Sequence, residues 1–343
     1  MKTSAGRFFE DFAVGQTIVH AVPRTVSGGE RALYHALYPS RHAIHSSDEF
    51  ARRVGLPGSP LDDLMVFHLI LGKTVPDISL NAIANLGYAG MRWLRPVWPG
   101  DTLRAVSTVI GLKQNSSGQA GVVYVRTTGL NQADQPVLDY VRWVMVKKRD
   151  LGATAPPTVV PDVAPLVSAD QLVIPQGLDF TNYDFAMAGE PHRWGDYAVG
   201  ERIDHVDGAT VEEAEHMMAT RLWQNTARVH FDATARPDGR RLVYGGHVIS
   251  LARSLSFNGL ANAQLIVALN AGAHANPCHA GDTVRAWSEV LDTAATAAPG
   301  TGAIRLRTVA VKAGAAPFAL RDEGGGYDPD ILLDMDYWAL MPV

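Results

Sequence analysis

The chain of 343 residues contains a single cysteine, Cys278. No internal disulfide can form, and such sparse cysteine usage suits a reducing cytoplasm. Charged residues make up only 19% and the formal net charge is −5. That excludes the basic surface a general nucleic-acid binder needs, though a local arginine cluster is still enough for an anionic small ligand. Long apolar runs are missing: stretches such as "LMVFHLILG" are far too short to span a bilayer. The opening "MKTSAGRFFEDF" brings in acidic residues before any apolar stretch, unlike a secretory signal. There is also no G-x-G-x-x-G after a strand, no P-loop and no G-x-S-x-G elbow, so nucleotide and serine-hydrolase chemistries have no foothold. What is present is 47% hydrophobic residues, enough for a sizeable core in two domains or one large one.

The chain is written twice. "DFAVGQTIVH" (11–20) matches "DYAVGERIDH" (196–205), an offset of 185, and the same offset relates His45 to His230 and Ser40 to Asn225. "PVWPGDTLRA" (96–105) matches "PCHAGDTVRA" (277–286) at an offset of 181, as expected after a net loss of four residues in the second copy. Repeats in one order at nearly one spacing indicate a duplicated domain. The expected organisation is 1–149, a linker over 150–193, and 194–343. "DLGATAPPTVVPDVAP" (150–165), rich in Pro and Ala, reads as the linker's exposed start.

Each copy shows the same order of elements. A short strand (16–22; 201–206) precedes a helix ("GERALYHALY"; "VEEAEHMMATRLWQ"), for which Thr210 and Glu213 form an expected capping box in the second copy. A histidine-bearing loop follows. Next comes a helix with little polar face (62–72; 246–260), which should be buried. Strands expected at 81–94, 101–112, 119–131 and 136–148 close the first copy, and "TVRAWSEVLD", "AIRLRTVAVKA" and "ILLDMDYWALM" help close the second. Their alternation predicts half-buried antiparallel strands. The expected class is α+β, a curved antiparallel sheet wrapped around a central helix.

"LRPVWPGDTL" (94–103), "QNTARVH" (224–230) and "GGHVISLA" (245–252) resemble the motifs of the hot-dog fold, and within it the MaoC-like (R)-specific enoyl-CoA hydratases. The resemblance covers both copies and implies a double hot dog. "LGKTVPDISLNAIANLGYAG" (71–90) and "YGGHVISLARSLSFNGLANA" (244–263) look closer still to one subgroup, the mesaconyl-CoA (β-methylmalyl-CoA) hydratases. The resemblance implies a hydro-lyase working on an acyl-CoA without metal or redox cofactor. In the family an Asp and a His five residues later share the catalytic water. Here those positions hold Asn225 and His230 in one copy and Ser40 and His45 in the other, so neither copy keeps the acid.

Hydrating an enoyl thioester needs a proton handler and a group that polarises the carbonyl. His230 is the expected proton handler, with Asn225 holding the water. The Gly246 amide at a helix N-terminus is the expected oxyanion donor, with Gly245 giving room. Tyr244 is a further substrate contact. The substrate's carboxylate should meet an arginine, for which Arg228, Arg253 and Arg92 are the candidates. Arg236, Arg240 and Arg241 in "ARPDGRR" are candidates for coenzyme A phosphates. His45 reads as structural, because its turn "SPLDDLM" lacks the glycine pair. His274, Cys278 and His279 look like soft-metal ligands, but their register places them on a strand and tight turn, where neighbours point apart, so no metal site is expected. An acyl-CoA thioesterase, a general (R)-enoyl-CoA hydratase and a non-catalytic acyl-CoA binding module stay open, as does homo-oligomerisation.

Overall fold

The computed structural model describes residues 2–343. The first copy begins with β1 (Thr17–Thr25), α1 (Gly28–Leu37), the short α2 (Ala43–Ser46) and α3 (Asp48–Arg53), and the long α4 (Asp63–Thr74). It closes with β2 (Ala82–Trp93), β3 (Thr102–Gln114), β4 (Ala120–Leu130) and β5 (Pro136–Lys147). After a connecting segment that carries α5 (Phe185–Ala188), the order repeats. It runs β6 (Arg202–Thr210), α6 (Glu213–Leu222), α7 (Arg228–Phe231), α8 (Gly245–Leu255) with the kinked α9 (Phe257–Leu260), then β7 (Leu265–His274), β8 (Thr283–Ala295), β9 (Thr301–Lys312) and β10 (Ile331–Pro342).

The ten strands form one sheet in the order β1-β3-β4-β5-β2-β7-β10-β9-β8-β6. The second half of that order is the first half reflected. The halves meet at an antiparallel seam, β2 against β7, with Tyr88 opposite Gly272 and Met91 opposite Leu269. Because each half ends on an edge strand that needs a partner, the seam turns two half-sheets into one. This is the double hot dog.

Helices α4 and α8 lie in the concave face. From Leu64 to Thr74 every residue of α4 is buried, and so is every residue of α8 from Gly246 to Leu255. Helices with so little polar face have nowhere else to go. Under each helix runs the same polar column. His20 Nε2 lies 2.8 Å from Ser107 Oγ, itself 2.8 Å from Thr127 Oγ1. In the second copy His205, Ser288 and Thr308 repeat both distances. Bonding these hydroxyls to one another avoids the roughly 1–3 kcal/mol cost of leaving each buried and unpaired.

One local expectation is corrected. Thr210 is the last residue of β6 and bonds Thr283 Oγ1 at 2.7 Å, so it cannot cap α6. That helix starts behind Glu212 without a side-chain cap. The capping box belongs to the first copy, where Ser27 and Glu30 form it.

The connecting segment is exposed over most of 150–166 and then packs down. Val167, Leu178, Phe180, Tyr183 and Ala188 join Ile44, Phe50, Val54 and Leu56 of the first copy and Leu265 and Val267 of β7 in one cluster. Trp338 Nε1 donates to the Val167 carbonyl at 3.0 Å, and the Tyr183 hydroxyl donates to Asn262 Oδ1 at 2.7 Å.

The copies also interlock between helices. Gly72 of α4 sits so close to the second copy that a Cβ there would run into the Trp223 carbonyl oxygen. Gly72→Ala is therefore expected to lower the thermal unfolding midpoint, at a cost of about 1–3 kcal/mol from forced separation. An unchanged melt by calorimetry would disprove the close approach.

Candidate active site

One cavity of about 300 Å³ stands out, and both copies build it. Leu71, Val75, Ser79, Asn85, Tyr88 and Arg142 come from the first copy; Asn225, His230, Tyr244, Gly245, His274 and Cys278 come from the second.

His230 sits on α7, where its Nδ1 lies 2.8 Å from the Leu242 carbonyl. A carbonyl only accepts, so Nδ1 carries the ring proton and Nε2 keeps its lone pair. Burial lowers the His230 pKa to about 4, against the opposing pull of the Leu242 carbonyl. The ring is therefore a neutral base at neutral pH. Asn225 is buried, and its Oδ1 accepts from the Ala227 amide at 3.0 Å. That bond closes a turn and uses one lone pair of the amide oxygen.

The N-terminus of α8 opens onto the same cavity. Its cap residue, Tyr244, offers no side-chain acceptor, and the amides of Gly245 and Gly246 are the first two of the helix, which have no carbonyl of their own to bond. Gly245 faces the cavity against His274, whose ring a Cβ would strike; Gly246 is buried beneath Tyr244 and His68. Uncapped amides with a helix dipole behind them favour developing negative charge.

The first copy builds the same frame and then fills it. His45 Nδ1 faces the Pro60 carbonyl at 3.4 Å, as His230 faces Leu242. Two residues past each of these carbonyls stands the helix cap, Asp62 or Tyr244, and the next residue is Asp63 or Gly245. The Asp62 side chain accepts from the Leu64 amide at 3.0 Å, so this helix is capped. The Asp63 carboxylate lies 3.3 Å from His45 Nε2. Burial alone would lower the His45 pKa, but the Asp63 charge outweighs it and holds the ring above its ordinary value. Val173 and Pro175 of the connecting segment lie beside Asp63.

A model of the family described as mesaconyl-CoA hydratase matches residues 2–320. The chain belongs to the mesaconyl-CoA hydratase family. It is 75% identical over 342 residues to a mesaconyl-CoA hydratase of Cereibacter sphaeroides, covering 100% of both chains. It is 59% identical to a β-methylmalyl-CoA dehydratase of Chloroflexus aurantiacus, covering 99% of this chain and 98% of that one. A solved MaoC domain dehydratase from Chloroflexus aurantiacus superposes with a TM-score of 0.97 at 58% identity, over 100% of this chain and 99% of the other. A conserved Mycobacterium tuberculosis protein with a double hot-dog fold does so at 0.74 and 26% identity, over 98% of each.

Among the residues singled out from the sequence, Asn225, His230, Tyr244 and Gly245 line the cavity, with Gly246 directly beneath. The three arginines expected to meet a carboxylate do not line it. Arg228 is exposed on α7. Arg253 is buried on α8 and spent on the Ala263 carbonyl and on Ser256 Oγ. Arg92 lies on β2 away from the cavity. The guanidinium in the cavity wall is Arg142 of β5, which sequence reasoning missed. Also missed was His274, whose Nε2 lies 3.3 Å from the Tyr88 hydroxyl. The loop expected to meet phosphates lies next to the cavity wall at Leu242. In it Arg236 pairs with Asp238 at 2.7 Å, Arg241 pairs with Glu213, and Arg240 is exposed.

Two titrations follow. Burial lowers the pKa of His205, His230 and His274 to about 4 each. The unfolded chain takes up a proton at each near its ordinary value of about 6.5 and the folded chain does not, so stability is expected to fall with pH between those limits. Urea midpoints that stay constant from pH 7 to 5 would contradict this. Gly245→Asp, with the His274 ring pushed aside by the new Cβ, places a carboxylate where Asp63 stands in the first copy. It is expected to move the His230 titration, followed by NMR, from about 4 to above 6.5.

Proposed function

We infer that this chain catalyses the reversible hydration of mesaconyl-CoA to β-methylmalyl-CoA, the reaction named for its close relatives. The observation that carries the site assignment is the neutral His230 ring, its Nδ1 proton bonded to Leu242, beside the uncapped start of α8.

In this reading the thioester carbonyl lies against the α8 amides. His230 Nε2 takes a proton from water as the water oxygen bonds to the β carbon, and negative charge moves to the thioester oxygen. The imidazolium then returns that proton to the α carbon, so one water has been added across the double bond. Asn225 donates from its Nδ2 to the attacking water. It cannot take the proton, and one histidine carries both transfers. In the same reading the loop beside Leu242 meets the coenzyme A phosphates, with Arg240 exposed and Arg236 and Arg241 exchanging Asp238 and Glu213 for them. His45, already paired with Asp63, takes no part.

The test follows the enoyl-thioester absorbance with mesaconyl-CoA. Wild type should bleach the band, and His230→Ala should slow it roughly 10²–10⁴-fold. His45→Ala should keep its turnover per folded molecule while melting earlier, because it leaves Asp63 buried without its partner. Release of free thiol in place of hydration would identify a thioesterase and refute the assignment.

A further inference from the structure

Arg142 is 2% exposed, yet it forms no ion pair among the described residues. Its Nη2 donates to Thr74 Oγ1 at 2.7 Å and faces Ser79 Oγ at 3.5 Å. Its Nε has no partner, and Nη1 meets no acceptor among the described residues. A buried cation without an anion is costly, since burial removes its water and nothing replaces it. The same stretch of cavity wall holds Asn85, whose amide oxygen and nitrogen are both buried without partners. Unsatisfied groups of this kind, gathered on one cavity wall, point to a ligand that satisfies them.

The surroundings say which ligand. Tyr88 stands directly opposite Arg142 across the β2–β5 pair, and its hydroxyl reaches His274, which packs against Gly245. A continuous row therefore runs from Arg142 in the first copy to the α8 amides in the second. The amides suit one oxygen-bearing end of an acyl group, and the guanidinium suits a second, anionic end. An alkyl chain in the same place would leave Arg142 buried and unpaired.

We propose that Arg142, with Asn85 and Ser79 beside it, binds the free carboxylate of a dicarboxylic acid joined to coenzyme A through its other carboxyl, and so selects such acyl groups over alkyl groups of equal length. The proposal rests on the reading of this cavity as an acyl-CoA site. A planar fork donates two parallel hydrogen bonds to a carboxylate, which a lysine ammonium cannot copy. The first copy thus supplies substrate recognition while the second supplies the chemistry.

The test is calorimetric titration with succinyl-CoA and butyryl-CoA. Both carry four-carbon saturated acyl groups, one ending in a carboxylate and the other in a methyl, so no turnover is needed. Wild type is expected to prefer succinyl-CoA roughly 100-fold, the size of a desolvated charge pair. Arg142→Met should bring that preference to within a few-fold. Arg142→Lys keeps the charge, guards against a folding failure of the first variant, and should still lose at least about 10-fold of the preference. Equal affinities in wild type, or a preference that survives both substitutions, would overturn the proposal. Because binding is read directly, a wild type that fails to hydrate mesaconyl-CoA would sink the functional assignment and leave this result to be judged separately.

Discussion

One proton on one ring organises the second copy's wall of the cavity. The Leu242 carbonyl holds the Nδ1 proton of His230, and that bond fixes the tautomer, the ring plane and the direction in which the free lone pair points. Burial then keeps the ring neutral. Both conditions come from the backbone: α7 delivers the histidine, and the chain entering α8 delivers the carbonyl. Two residues past that carbonyl, Tyr244 leaves the helix uncapped, and Gly245 leaves its first residue without a side chain. One short stretch of chain, Leu242 to Gly246, therefore both fixes the ring and presents the free amides beside it.

The first copy shows what that arrangement excludes. It has the same histidine facing the same kind of carbonyl, but Asp62 caps the helix and Asp63 holds the ring. A base already paired with a carboxylate has lost its freedom to take a proton from water, and a capped helix has lost the amide that would stabilise an enolate. The connecting segment then packs over the same region with Val167, Leu178 and Phe180. The frame itself is the same in both copies, down to the polar columns of His20 and His205, while the unpaired histidine and the uncapped helix occur together in the second.

Much of this was legible in the sequence. Duplication came from matched spacings, strand boundaries from alternation, and the place of His230 and Asn225 in the cavity wall from their register with His45 and Ser40. The four strand limits expected in the first copy fall within about two residues of β2 to β5. What the sequence hid was every contact made across the seam. Of the arginines expected to meet a carboxylate, Arg228 and Arg253 lie close to His230 and Gly246 in the chain and Arg92 comes from the other copy, whereas Arg142 reaches the cavity from β5, more than eighty residues upstream of His230. His274 was read only as a would-be metal ligand, because nothing local shows that Tyr88 would stand 3.3 Å away. Thr210 failed as a cap for a similar reason: strand pairing with Thr283 claimed it first.

The continuous seam between β2 and β7 has a consequence in mass action. A site assembled from two separate chains empties as those chains are diluted, and a symmetric pair must carry every residue twice. Here the partner travels on the same polypeptide, at an effective concentration that dilution cannot change. The cavity therefore persists in scarce protein. The covalent link also frees each half from symmetry, so one copy can keep a guanidinium and the other an imidazole with neither needing both.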